Sequence, residues 1–199
     1  MALVADSNFT NNLTSVAAFS PFPTGGGNKI LEIDNSGVLL DNAVAVSNIS
    51  TYDLYVDALL QSGSPSGVRD FGFVLNRTVS GAFYYLRVLP SGTPQGKAEF
   101  KLFQYSGGVG GSFSAVSVPT DNIQYISTNT IFTFRARVES TSRGPNISLL
   151  INDVVVLSHI DISGSALNSG QVGLAGGIIN NQANSLKAYF DNWFVRSAD

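Results

Sequence analysis

Residues Gln171–Arg196 read QVGLAGGIINNQANSLKAYFDNWFVR, and the fold is decided there. A short apolar run with Val172 and Leu174 meets Gly176 and Gly177, and an Asn/Gln/Ser loop follows. A second run then carries Tyr189, Phe190, Asp191, Asn192 and Trp193. Brief runs rich in β-branched and aromatic residues, punctuated by Gly and Asn, are strands. The two runs are expected to be the last strands of an all-β sandwich, with one carboxylate set among aromatics. Strict alternation puts Trp193 on the side of Tyr189 and Asp191, away from Phe190 and Phe194. For Trp193, the only tryptophan, a core or inter-sheet position is expected rather than a ligand platform.

The same pattern extends over the rest of the chain. In Thr51–Leu60, Tyr52, Leu54, Val56, Ala58 and Leu60 share one face, and Asp53, Tyr55 and Asp57 the other. Period-two alternation of this kind marks a half-buried strand. Asp70–Leu75, Ala82–Leu89, Glu99–Tyr105 and Thr130–Glu139 behave alike. Asn152-Asp153 predicts a tight hairpin between Asn146–Asn152 and Val154–Leu157. Lys29–Ile33 and Gly37–Leu40 are expected to pair across the Asn35-Ser36-Gly37 turn, Ser112–Val118 is a further strand, and His159–Gly170 is a polar loop. No segment repeats at helical spacing. Short strands separated by turn signals predict an all-β, two-sheet antiparallel β-sandwich, a jelly roll, as a single domain over 1–199.

Composition narrows the function. Charged residues are 13% of the 199, about half the usual quarter. Low charge with abundant Asn, Ser and Thr predicts an extracellular, cell-surface or particle-surface protein. The N-terminus, MALVADSNF, carries no basic and apolar leader pattern. With a net charge of −3 and no basic run, the chain lacks the cationic stripe that nucleic acid demands. No apolar run reaches the ~20 residues of a spanning helix, so neither nucleic acid nor membrane insertion is expected. Without cysteine, disulfides, thiolate metal sites and cysteine nucleophiles are excluded.

The outward positions of the middle strands carry the candidate binding chemistry. Tyr85 and Arg87, then Lys101, Phe103 and Tyr105, then Arg135 and Arg137 all alternate away from the core positions. If these strands share a sheet, Tyr85, Arg87, Lys101, Tyr105, Arg135 and Arg137 form an aromatic and cationic ligand face. Rings stack on the C–H face of a pyranose, and guanidinium groups bind carboxylates or sulfates through two parallel hydrogen bonds. Exposed sheet faces also carry Arg, Lys and Tyr without any ligand, and alternation does not tell a concave face from a convex one. Catalytic signals are thin. Asp53 and Asp57 lie four apart on one strand, about 13 Å at ~3.3 Å per residue, too far for a retaining carboxyl pair. His159 is the only histidine and has no sequence-visible partner for a triad or metal site.

Three passages then resemble the concanavalin A-like lectin/glucanase superfamily, the laminin-G-like jelly rolls. They are Asp6–Phe9 near the start; Gly72-Phe73, Tyr84-Tyr85 and Lys101–Tyr105 in the middle; and Phe134–Val138, Leu149–Asp153 and Gly170–Val195 at the end. Together they span almost the whole chain. The superfamily holds lectins, carbohydrate-binding modules, glycosidases, lyases and adhesion domains, so the resemblance implies fold more sharply than activity. The glucanases of this group carry Glu-x-Asp-x-x-Glu on one strand. Glu32-Ile33-Asp34 begins that pattern, but Gly37 stands where the second Glu belongs. The resemblance also implies a structural calcium ion held by Asp191 of the final strand, with Asp6 as its N-terminal partner. The reading that results is a non-catalytic, lectin-like domain binding a polysaccharide or other glycan. A structural or adhesive domain without a sugar site, and a polysaccharide hydrolase or lyase, remain as alternatives.

Overall fold

In a computed structural model the described residues form fourteen strands: β1 (Leu3–Asp6), β2 (Leu31–Ile33), β3 (Gly37–Ala45), β4 (Thr51–Ser62), β5 (Phe71–Arg77), β6 (Phe83–Leu89), β7 (Glu99–Tyr105), β8 (Phe113–Ala115), β9 (Thr120–Asp121), β10 (Ile131–Thr141), β11 (Gly144–Ile151), β12 (Val154–Ile160), β13 (Gln171–Gly176) and β14 (Leu186–Ser197). The structure describes residues 3–6, 31–33, 37–45, 51–62, 70–90, 98–108, 110–117, 120–121, 130–176 and 186–197; side chains are described within 51–59, 70–90, 98–108, 110–117, 130–176 and 189–197.

The strands form two antiparallel sheets. Sheet A runs β1-β14-β4-β10-β11-β12 with β2 also on β14, and sheet B runs β3-β13-β5-β6-β7-β8 with β9 also on β7. The expected all-β jelly-roll sandwich is what the chain builds. Tyr52, Leu54, Val56, Phe134, Ala136 and Val138 from sheet A meet Phe73, Leu75, Tyr84, Leu86, Phe100 and Leu102 from sheet B in one buried core. Aromatic contacts cross between the sheets. Phe71 packs edge-on against Phe134 at 5.2 Å and Phe190 at 5.4 Å, and Phe73 stacks on Trp193 at 6.3 Å. The alternation read in β4, β5, β6, β7 and β10 is the alternation that fills this core.

The β11–β12 hairpin forms as expected. Asn152 (φ 48°) and Asp153 (φ 64°) both take the left-handed conformation that a two-residue primed turn needs. Asn152 Oδ1 also accepts the Thr133 N–H at 3.0 Å, tying the turn to β10. The expected pairing of Lys29–Ile33 with Gly37–Leu40 does not form: β2 lies on β14 in sheet A, and β3 lies on β13 in sheet B. Likewise β13 and β14, adjacent in the chain, belong to opposite sheets. A turn signal locates a change of direction, but the strand that then offers its free edge is chosen by the whole sandwich.

One position breaks the alternation. Between Asp191 and Phe194 the pairing of β14 with β4 shifts register. Asn192 sits there at φ 54°, a conformation costing other L-residues about 1–2 kcal/mol but open to Asn. Its N–H donates to Asp191 Oδ1 at 2.8 Å. The extra residue of such a bulge moves all that follows to the other face. Phe190, Trp193 and Val195 therefore all join the core, and Phe194 turns outward, opposite Tyr55. The core role expected of Trp193 holds, by a route simple alternation does not contain. Asn192→Val is expected to be less stable than Asn192→Gly by about 1–2 kcal/mol in urea unfolding, since both lose the Asn side chain and only Val resists the left-handed backbone.

Candidate functional site

Three neighbouring strands of sheet A, β14, β4 and β10, build the most chemically distinctive surface. Cross-strand register sets Arg135 opposite Tyr55, Arg137 opposite Asp53 and Thr133 opposite Asp57. On the other side of β4 it sets Arg196 opposite Asp53, Phe194 opposite Tyr55 and Asp191 opposite Asp57. Side chains directly opposite each other stand about 4.5–5.5 Å apart at Cβ.

Asp53 anchors the group. It is fully buried, an expensive position for a carboxylate unless donors surround it. Arg137 Nε donates to Oδ1 at 2.8 Å, and Arg137 Nη2 and Arg135 Nη2 donate to Oδ2 at 3.0 Å and 2.8 Å. Burial pushes the Asp53 carboxyl upward, but these hydrogen bonds and the two positive charges outweigh it and hold the group below its ordinary value. The Tyr55 and Phe194 rings, both half-buried, stack beside it with centroids 4.6 Å apart and planes 24° apart. Arg135 lies over the Tyr55 ring at 5.1 Å, and Arg196 over Phe194 at 4.5 Å and Tyr55 at 5.7 Å. The result is a row of alternating guanidinium and aromatic groups on rigid strands.

Further along the same strands is a carboxyl pair, Asp57 and Asp191. Asp57 accepts from Thr133 Oγ1 at 2.6 Å and from Asn192 Nδ2 at 2.8 Å. Asp191 is buried, and burial, with the charge of Asp57 added, raises its carboxyl above the ordinary value although the Asn192 N–H opposes the shift. A carboxyl raised toward neutrality by burial is what a general acid requires.

The six residues expected to share a ligand face do not share one. Arg135 and Arg137 stand on sheet A, whereas Tyr85, Arg87, Lys101 and Tyr105 stand on the outer side of sheet B, across the sandwich. Alternation identifies a side chain that points away from the core, but sheet membership follows from long-range pairing. Sheet B's outer side is also not open at Tyr85. That side chain is fully buried in a second apolar cluster with Val74, Phe83, Phe103 and Ala175, and Phe113 and Tyr105 pack on it. The Tyr85 hydroxyl donates to Asp70 at 2.8 Å, and burial first, then the Asp70 charge, hold its phenol far above the usual range. Arg87 is buried, ion-paired to Glu99 and stacked over Phe103 at 5.0 Å. Gly72 leaves room for this: a Cβ there would lie 2.1 Å from the Leu86 carbonyl oxygen and 3.0 Å from the Tyr85 ring. Lys101 also lies over the Phe103 ring, with its ammonium 5.1 Å from the centroid, and the Tyr105 hydroxyl donates to the Gly108 carbonyl at 3.3 Å. Tyr85 and Arg87 are thus packing residues.

For calcium, the described residues supply Asp191 and Asp57. Asp6 is placed by its backbone alone, opposite Phe194, and its side chain lies outside the described residues. Calcium takes six to eight oxygens. Among the described residues no three His, Asp or Glu side chains gather around a point, and Thr133 and Asn192 already direct protons at Asp57. By themselves these groups do not fit calcium.

Tyr55, Asp57, Phe194 and Arg196 were absent from the expected site. The outward parity of Tyr55 and Asp57 was visible in Thr51–Leu60. Phe194 and Arg196 were hidden by the bulge, whose one sequence trace is an Asn, tolerant of positive φ, between Asp191 and Trp193.

No family model and no curated protein matches the sequence. Among solved structures, the chain is similar to the carbohydrate-binding module CBM66 from Bacillus subtilis, with a TM-score of 0.58 and 16% identity over 85% of this chain and 87% of that one. It is also similar to the alginate lyase Aly36B, with a TM-score of 0.55 and 15% identity over 85% of this chain and 80% of that one. A mutant of that lyase in complex with an alginate trisaccharide gives a TM-score of 0.53 and 15% identity over 86% and 82%. At these identities the likeness is one of fold, a jelly roll that carries both binding modules and lyases.

Two stability measurements test the electrostatics. Asp53→Asn is expected to cost about 3 kcal/mol in urea unfolding, because it leaves two guanidinium groups facing an amide. For the wild type, the Asp53 contribution is complete above the unfolded carboxyl value of about 3.9 and is lost as pH falls through the lower folded value, so that part of acid unfolding lies below the ordinary carboxylate range. Asp191 has the opposite sign. Its raised folded value makes its ionisation a cost above that value, relieved as pH falls toward the unfolded one. Asp191→Asn is expected to raise the melting temperature at pH 7 and to flatten the stability profile between the two values.

Proposed function

We propose that the chain is a non-catalytic, lectin-like carbohydrate-binding domain whose ligand face is the outer side of sheet A, around Tyr55, Phe194, Arg135, Arg137 and Arg196. The observation that carries this reading is the half-exposed Tyr55–Phe194 pair flanked by guanidinium groups. Exposed rings beside fixed donors are what a pyranose needs, with an apolar C–H face to pack and hydroxyls to bond. The fold shared with a carbohydrate-binding module is consistent with it. Such a domain acts where glycans are displayed, and we place its work outside the cell or on a particle surface.

Affinity electrophoresis through gels cast with a panel of polysaccharides tests the reading. Retardation is expected for at least one of them, and Phe194→Ala should weaken it about tenfold, the effect of losing roughly 1.4 kcal/mol of ring contact, with little change in melting temperature. Tyr85→Ala should instead lower the melting temperature. If no polysaccharide retards the protein, the reading is wrong.

One observation favours a second reading, a polysaccharide hydrolase. Asp57 and Asp191 are cross-strand partners, an arrangement in which two carboxyls can approach each other as a retaining pair must, with burial raising the Asp191 carboxyl above its ordinary value. Reducing ends released from a polysaccharide, and lost in Asp191→Asn, would replace the binding reading with this one. The calcium proposal at Asp6 and Asp191 has its own measurement. It requires a lower melting temperature in chelator and a destabilised Asp191→Asn; an unchanged midpoint in chelator with a stabilised Asp191→Asn removes it.

A further inference from the structure

The row on sheet A offers charge more than it offers a flat apolar plate. Tyr55 and Phe194 stack on each other, and guanidinium groups lie against them, Arg135 over Tyr55 and Arg196 over both rings. A guanidinium stacked on an aromatic ring keeps its N–H edges free for in-plane acceptors. Its long side chain is already ordered, so less entropy is lost when an anion binds.

The cations of the row are not equally available. Arg135 and Arg137 are both engaged by the buried Asp53 carboxylate, and they also approach Asp153 and Glu139 at 3.7 Å and 3.8 Å. Asp53 is also Arg196's cross-strand partner, yet its two oxygens are already taken by Arg135 and Arg137. Arg196 itself is exposed and makes no ion pair among the described residues. The other acids of the face are occupied or buried. Asp57 is held by Thr133 and Asn192, and Asp191 is buried on the far side of the bulge. An exposed, pre-oriented guanidinium with no carboxylate partner among the described residues is complementary to an anionic group brought by a ligand.

From this geometry we infer that the sheet A face selects anionic saccharides, with Arg196 pairing with a carboxylate or sulfate of the sugar while the edges of Tyr55 and Phe194 contact its ring. This rests on the carbohydrate-binding reading and names the ligand class within it. Neutral glycans are poorer ligands because they bring no anion for Arg196 and share the ring surface with guanidinium groups.

The test uses the full chain and polymers that differ in charge alone: polygalacturonate against its carboxyl-reduced form, and dextran sulfate against dextran. Poly-glutamate serves as a polyanion without sugar. Calorimetry is expected to show the charged member of at least one pair binding tenfold or more tighter than its neutral twin, with affinity falling as salt rises. Arg196→Gln should remove most of that difference with little change in melting temperature, since the side chain is exposed and makes no ion pair among the described residues. The pair that responds tells carboxylate from sulfate. If charged and neutral twins bind alike, and Arg196→Gln has no effect while Phe194→Ala still weakens binding, the anionic inference is overturned and the carbohydrate reading stands. Poly-glutamate binding as tightly as the best polysaccharide overturns saccharide selection, and binding to no polymer overturns both readings.

Discussion

The bulge in β14 is the constraint on which both the core and the outward face depend. A regular strand cannot place Phe190, Trp193 and Val195 inside while Asp191, Phe194 and Arg196 face out, because alternation assigns Trp193 and Phe194 the reverse sides. One residue in the left-handed conformation resolves this. Asn192 can adopt it, and the Asp191 carboxylate takes up the Asn192 N–H that the shifted ladder leaves over. The same step changes which residues β14 presents to β4, with Asp191 opposite Asp57 before the shift and Phe194 opposite Tyr55 after it. Packing and site geometry are therefore two consequences of one backbone conformation.

Asp53 does the corresponding work on the polar side. A buried ion network is a poor source of net stability, because the desolvation of its charges is comparable to their attraction. Its effect here is orientational. Three charge-assisted hydrogen bonds hold two guanidinium groups in place, and one of those groups is thereby laid over the Tyr55 ring. The arrangement also penalises register slips between β4 and β10, since any slip would strand a buried carboxylate.

The two outer sides of the sandwich are unlike for a related reason. On sheet B the outward residues are largely aromatic, and they bury one another in a second cluster beneath Phe113, with Asp70 and Glu99 accepting from the few polar groups. On sheet A the acids of β4 face arginines and a threonine of β10, so they pair laterally, with Asp53 buried beneath guanidinium groups and Tyr55, Arg135 and Arg137 left partly exposed. Tyr85 and Arg87 on β6 resemble Tyr55 on β4 and Arg135 on β10 in sequence, each an aromatic or an arginine at an outward strand position. Their neighbours across the sheet make one pair a packing element and the other an accessible surface.

What the sequence determined by itself is the local part: the strands, their inward faces, the Asn152-Asp153 hairpin and hence an all-β sandwich. These follow from the two-residue period of an extended chain and from backbone preferences at Asn and Gly, which act over a few residues. Only the tertiary structure decided that β10 joins β4 instead of β6 and β7, that Lys29–Ile33 and Gly37–Leu40 go to opposite sheets, and that Trp193 and Phe194 exchange sides. Strand edges carry the same backbone donors and acceptors whatever their side chains. The choice among them is therefore made by packing across the whole domain, between residues far apart in the chain, and the candidate site is assembled by that choice.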